Sequence, residues 1–206
     1  IEHGNCYDRE LKLYTNENQD KNNNNFIILF LGYIRPYKGL EILIEAVDYL
    51  KNYYKLEDFE VKIKGKPITD SYIKNLSNKI YELNLDKYIS IKSQYISNKE
   101  LINEIQKSDI GVLPYLRASQ SGLPYFYASL NTPMVITNVG GLKEQISYEF
   151  TEVTEPNPYG LGKAIVKLKQ RIENGKISKK SFENYRFKNS WEKTVKKYYD
   201  LYLNLS

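Results

Sequence analysis

The sequence predicts an α/β fold: a mostly parallel sheet, doubly wound, with helices on both faces. Short apolar runs of strand length recur along the chain, and between them apolar residues fall at helical spacing. Three glycine-bearing turns sit at the carboxyl ends of strands, where open sheets of this kind bind ligands.

The first strand is the run Phe26 to Phe30, leading through Leu31 to Gly32. Leu40, Leu43, Ile44, Val47 and Leu50 then mark one face of a helix. Phe59 to Lys64 reads as a strand stopped at Gly65, and Tyr72, Leu76, Ile80 and Leu83 mark a second helix capped by Thr69 or Asp70. Tyr88 to Lys92 is a short strand. Ser97 with Glu100 forms a capping box ahead of Leu101, Ile102 and Ile105. Asp109 to Leu113 is a strand stopped by Pro114, followed by a buried helix, Ser121 to Leu130, whose first turn is Ser121-Gly122. Met134 to Thr137 is the next strand. A short helix, Leu142 to Ile146, and a weak strand, Phe150 to Val153, follow. Leu161 to Ile172 is amphipathic. The tail from Phe182 is helical, with Trp191, Val195, Tyr198 and Tyr202 on one face and Trp191 expected to anchor it by packing.

Residues 1–25 lack periodicity and end in the polar tract Lys21 to Asn25, so they read as a linker ahead of a domain spanning 26–206. The chain opens on Ile1 and polar, turn-rich sequence, and is read as a fragment of something longer.

Composition narrows the classes of function. With 206 residues, 41% apolar and 27% charged, the chain can bury one sizeable core. The net charge of +5 suits a phosphate-bearing ligand or an anionic membrane surface. It does not argue for nucleic acid, because no basic stripe, zinc spacing or aromatic-basic RNA motif accompanies it. Twenty tyrosines accompany an abundance of Asn, Lys and Ile and read as compositional bias rather than as a binding feature. One cysteine, Cys6, and one histidine, His3, exclude a disulfide framework and a multi-histidine or cysteine-rich metal site. No apolar run approaches membrane-spanning length and no signal peptide is visible, so a cytoplasmic protein is expected. The positive, tyrosine-rich tail could rest weakly on the inner face of a membrane, although its charges alternate in sign.

The three turns carry the chemistry. In the first, Gly32 lets the backbone approach a ligand, and Arg35 and Lys38 stand beside a helix start at Gly39, where free N–H groups favour an anion. The second, Pro114 to Gly122, offers small residues, the hydroxyls of Ser119 and Ser121 and the Gln120 amide as donors; the plainer reading is N-capping by either serine. In the third, Asn138-Val139-Gly140-Gly141, paired glycines allow a nest of N–H groups able to receive a phosphate oxygen. The three turns are read as one site.

These segments resemble a known family. Gly32 with Lys38-Gly39 is similar to the βα opening of the C-terminal domain of retaining glycosyltransferases of family four. Ser108-Asp109-Ile110 with Leu113-Pro114, then Gln120-Ser121-Gly122, then Pro133 to Thr137 with Val139-Gly140-Gly141-Leu142 and Glu144, follow in the family's order and spacing. The resemblance covers nearly everything from Phe26 to the C-terminus. Ile1-Glu2-His3-Gly4-Asn5 resembles the hinge that opens the family's second domain, and the last helix resembles the one that crosses back to the first domain.

The resemblance implies a Rossmann-like domain, one half of a GT-B fold, that binds a nucleotide-diphosphate sugar without metal or other cofactor. The glycan or glycolipid acceptor would be held by an N-terminal domain absent from this chain. Lys38 matches the family's diphosphate-contacting lysine. The arginine usual after the first glycine is replaced by Tyr33, and Arg35 is the candidate substitute. The implied donor contacts are Gly32, Gly39, Gln120, Ser121, Gly122, Gly140 and Gly141, with the nucleobase near Gln94, Tyr95 and Ile96. Aligned on Gly122, the family's two glutamates are replaced by Ser119, beside the sugar, and Tyr127, at the ribose position. A subgroup carrying Gln-Ser-Gly also lacks the first. The expected function is hexose transfer with retention, by a domain expected to be inactive in isolation. The alternatives are a non-catalytic nucleotide- or sugar-binding module and a GT-B sugar-nucleotide epimerase, the latter disfavoured by the scarcity of carboxylates.

Overall fold

The computed structural model describes residues 25–204. Strands β1 (Phe26–Leu31), β2 (Phe59–Lys64), β3 (Ile89–Lys92), β4 (Ile110–Leu113), β5 (Met134–Thr137) and β6 (Thr151–Thr154) form one sheet in the order β3-β2-β1-β4-β5-β6. Every neighbouring pair is parallel, as the alternation of elements predicts. The strand order reverses between β1 and β4, which makes that junction the topological switch point.

Burial explains the strand sequences. After Phe26, β1 is buried at every position, and β4 and β5 are buried throughout, because helices cover both faces of the sheet centre. β2 alternates buried and half-buried residues, consistent with a place nearer the edge. The helices are α1 (Leu40–Asn52), α2 (Asp70–Glu82), α3 (Asn98–Lys107), α4 (Leu123–Ser129), α5 (Pro158–Glu173), α6 (Lys179–Lys188) and α7 (Trp191–Leu203). Thr69, not Asp70, caps α2, its hydroxyl accepting from the Tyr72 N–H at 3.2 Å. The Ser97–Glu100 capping box forms in both directions, at 3.3 and 3.0 Å.

Several expectations are corrected. The helix after β4 begins at Leu123 rather than Ser121, so Ser121 and Gly122 precede α4 instead of forming its first turn; Pro124 suits its opening. Leu142–Gln145 is a 3-10 turn. The tail is two helices, because Ser190 starts a new one by accepting from the Lys193 N–H at 3.4 Å. Trp191 does not anchor α7: it is 51% exposed, and Val195, Tyr198 and Tyr202 on the same face are exposed too. Residues 1–24 of the segment read as a linker, with His3, Cys6 and the hinge-like opening, lie outside the described residues.

Candidate functional site

The three glycine-bearing turns follow β1, β4 and β5, which are adjacent in the sheet, so their loops form one continuous edge. After β1 the chain makes a short 3-10 turn, Pro36–Lys38, and enters α1 through Gly39 at φ 68°. A Cβ there would lie 1.9 Å from the Pro114 carbonyl oxygen, so glycine lets the β1 and β4 loops touch. The Leu116 N–H donates to the Tyr37 carbonyl at 2.8 Å and ties them further.

Lys38 stands in this junction. Its ammonium lies 3.6 Å from the centre of the Tyr115 ring and 5.2 Å from that of Tyr37, and it pairs with no carboxylate among the described residues. Burial, with a smaller push from the Arg35 guanidinium, lowers its pKa from 10.5 to about 8. Arg35 itself is exposed, 5.3 Å from the Tyr33 ring centre. Aromatic faces hold both cations without neutralising them.

The β4 loop turns back at Tyr115, which is fully buried; its hydroxyl is 3.5 Å from Ser121 Oγ, and burial pushes its pKa up. Thr137 Oγ1 donates to the Tyr115 carbonyl at 2.6 Å. Beyond it, Ser119, Gln120 and Gly122 are exposed and Ser121 is half-buried. The β5 loop packs against this segment. Gly140 has φ 50°, and a Cβ there would lie 1.6 Å from the Ala118 carbonyl oxygen. Gly141 donates its N–H to the Ser119 carbonyl at 3.2 Å.

The backbone donors at the expected contacts fall into two groups. The N–H groups of Gly32, Gly39 and Gly141 are committed to the carbonyls of Lys64, Pro36 and Ser119. Those of Ser119, Gln120, Gly122 and Gly140 meet no acceptor among the described residues. Free N–H groups at the ends of β4 and β5, with Lys38 at the end of β1, make an edge suited to an anion. Gly32 is half-buried beside Leu123 Cδ1, 3.6 Å from a notional Cβ, and Gly39 is buried, so both act in shaping the loops.

Tyr127 requires correction as a donor contact. It is 0% exposed, its hydroxyl donates to the Leu29 carbonyl at 3.0 Å, and its ring fills the space beside Gly111. It is a core residue. Tyr95 is 69% exposed and Ile96 half-buried, after β3, two strands from β1. Glu144 is exposed in the turn after Gly141. Asp109 is structural, its carboxylate accepting from the Ile27 N–H at 2.7 Å. Among the described residues no group of His, Cys, Asp and Glu is arranged to hold a metal ion, and no helix is long and apolar enough to cross a membrane.

Sequence reasoning missed Tyr115 and Gln145. The Gln145 side chain bonds both the N–H and the carbonyl of Ser121, at 2.8 and 3.0 Å, from 24 positions away. No local pattern announces such a contact.

A Rossmann-like α/β domain with an anion-suited edge at its switch point is the class these features define. Residues 15–188 match the profile of the glycosyl transferases group 1 family, and the chain belongs to that family. Its fold is one half of a GT-B glycosyltransferase, corresponding to the C-terminal domain. D-inositol 3-phosphate glycosyltransferase of Paenarthrobacter aurescens (strain TC1) is 29% identical over 122 residues, 59% of this chain and 29% of that protein. A glycosyltransferase from Rickettsia africae ESF-5 superposes with a TM-score of 0.75 at 21% identity, over 94% of this chain and 50% of the other. Anabaena Alr3699/HepE, solved in complex with UDP and glucose, gives 0.69 at 16% identity, over 89% and 49%. The chain thus spans half or less of these relatives.

Proposed function

We propose that this chain is the donor-binding half of a retaining hexosyltransferase. It holds a nucleotide-diphosphate sugar, and the hexose passes to a hydroxyl of a glycan, glycolipid or glycoprotein presented by an N-terminal domain outside the chain. The observation that carries the reading is Lys38: a half-buried ammonium without a carboxylate partner among the described residues, on the same sheet edge as backbone N–H groups that meet no acceptor among them. Such a set is completed by a polyanion. The bound UDP and glucose of the similarly folded HepE support that ligand class.

In the transfer, the bond from the anomeric carbon to the diphosphate oxygen breaks, and a bond from the acceptor oxygen to that carbon forms. The acceptor hydroxyl gives its proton to a base supplied by the N-terminal domain, and negative charge builds on the departing diphosphate. Lys38, assisted by Arg35, and the N–H groups of Ser119, Gln120, Gly122 and Gly140 stabilise that charge as it grows. In this reading the Ser119 hydroxyl and Gln120 amide contact the sugar, and Tyr95 and Ile96 border the nucleobase. The donor is a substrate, and no further cofactor takes part. The setting is cytoplasmic synthesis of a surface polysaccharide or similar glycan, with weak membrane contact through the exposed aromatic face of α7 as a subsidiary feature.

The test is thermal stability of the chain with millimolar UDP, GDP, CMP and ADP, repeated with Lys38→Ala. A ligand at a hundredfold its dissociation constant adds about 2.7 kcal/mol, a rise of roughly 5–10 °C for a chain of this size. A rise with one nucleoside diphosphate, abolished by Lys38→Ala, supports the reading; no rise with any of them counts against it. A non-catalytic binding module is the second reading, favoured by the absence of any carboxylate from Tyr115 to Gly122. Turnover of no donor by a complete two-domain protein would favour it over the first.

A further inference from the structure

Gln145 ends the 3-10 turn that follows Gly140-Gly141 and is 4% exposed. Its amide is spent twice on one residue: Oε1 accepts from the Ser121 N–H at 2.8 Å and Nε2 donates to the Ser121 carbonyl at 3.0 Å. This is the pairing a neighbouring strand would make, supplied by a side chain. The Gly141 N–H to Ser119 carbonyl bond adds another rung, so the segment 119–121 and the turn 140–145 move together. The turn is itself fixed from the opposite side, where the Tyr185 hydroxyl on α6 donates to the Gln145 carbonyl. The Tyr185 ring meets Phe150 edge-on, with centroids 5.5 Å apart.

A position needed only to fill the core would be served by an apolar side chain, since burying an amide costs free energy unless both its ends are bonded. Here both ends are bonded, and both go to the one residue lying between the free N–H groups of Gln120 and Gly122. We propose that Gln145 is a positioning residue for donor binding: by fixing Ser121, it presents the N–H groups of Ser119, Gln120 and Gly122 as a preformed cradle for the diphosphate. This role rests on the donor-binding reading above. Gln145 does not touch the ligand. It removes the ordering cost that a loose loop would impose on binding.

Two substitutions test it, with UDP and GDP as probes. Gln145→Leu keeps similar volume and removes both bonds. It is expected to weaken binding of whichever nucleotide the unaltered chain takes by about tenfold. It is also expected to speed hydrogen exchange at the Ser121 amide without ligand, while amides of β1 stay protected. Gln145→Glu supplies a signature that a purely structural role lacks. As a carboxylate it only accepts, and repels the Ser121 carbonyl; as a neutral acid it both accepts and donates. Its affinity relative to the unaltered chain is therefore expected to recover as pH falls toward about 5. Equal affinity in Gln145→Leu with unchanged Ser121 exchange overturns the role alone, as does a Gln145→Glu variant with no relative recovery. An unaltered chain that binds neither nucleotide overturns the donor reading, and this role with it.

Discussion

Lys38 joins partial burial, charge and a place at the switch point, and its chemistry gives a pH dependence. Its pKa in the folded chain is lowered to about 8 from 10.5, so between those values the unfolded chain binds more protons. Stability from this group therefore rises with pH across that window, the penalty being fully present below about 8. Anion binding runs the other way, because it needs the ammonium. Nucleotide affinity measured calorimetrically is expected to fall above about pH 8, by up to tenfold per unit. Gly39 gives a stability prediction. Its positive φ and the Pro114 carbonyl oxygen 1.9 Å from a notional Cβ leave no room for alanine. Gly39→Ala is expected to cost at least about 2 kcal/mol in urea denaturation. Both residues were legible in sequence from their place after an apolar strand. Tyr127 was not, because spacing from Gly122 puts it on a helix without saying which face points inward. Tyr115 and Gln145 were hidden for a related reason: their roles lie in contacts across loops, and sequence patterns report local geometry.

Elements were more legible than residues. Each strand of the sheet has a sequence counterpart within a residue or two, because two-sided burial demands an apolar run and the turns demand glycine, proline or a cap. The limits came where tertiary packing decides. The start of α4 is set after the Gln145 clamp, and the tail is split by the cap at Ser190. α6 shows what such packing achieves. Phe182 stacks on Phe150 at 4.1 Å, Tyr185 holds the Gln145 carbonyl, and Arg186 Nη1 reaches the Ala128 carbonyl at 3.2 Å and Asn131 Oδ1 at 2.7 Å. One helix thus supports both the end of α4 and the turn that fixes its entrance. Phe182→Ala is expected to cost about 3–5 kcal/mol by chemical denaturation. A loss confined to below 1 kcal/mol would mean that α6 is not integral to the domain.

At the scale of the molecule, the sheet order places every candidate anion contact on one edge. In the proposed transfer, Lys38 and the loop N–H groups would stabilise a departing diphosphate, but an acceptor hydroxyl would have to approach the anomeric carbon with water held off and its proton removed. No carboxylate or histidine lies in the segment from Tyr115 to Gly122 to take that proton. α7 presents Trp191, Val195 and Tyr202 outward, each more than half exposed. The chain covers half or less of the relatives whose fold it shares. The proposed function implies a division of labour in which this chain binds the leaving group and a second domain closes the site. The 206-residue chain is therefore expected to bind a nucleoside diphosphate while transferring no sugar to any glycan acceptor. Mass-spectrometric assay of product with a panel of nucleotide sugars checks this. Transfer by the chain alone would show that this domain suffices and that the proton acceptor lies within these residues; binding without transfer, with turnover once the N-terminal half is present, is the predicted result.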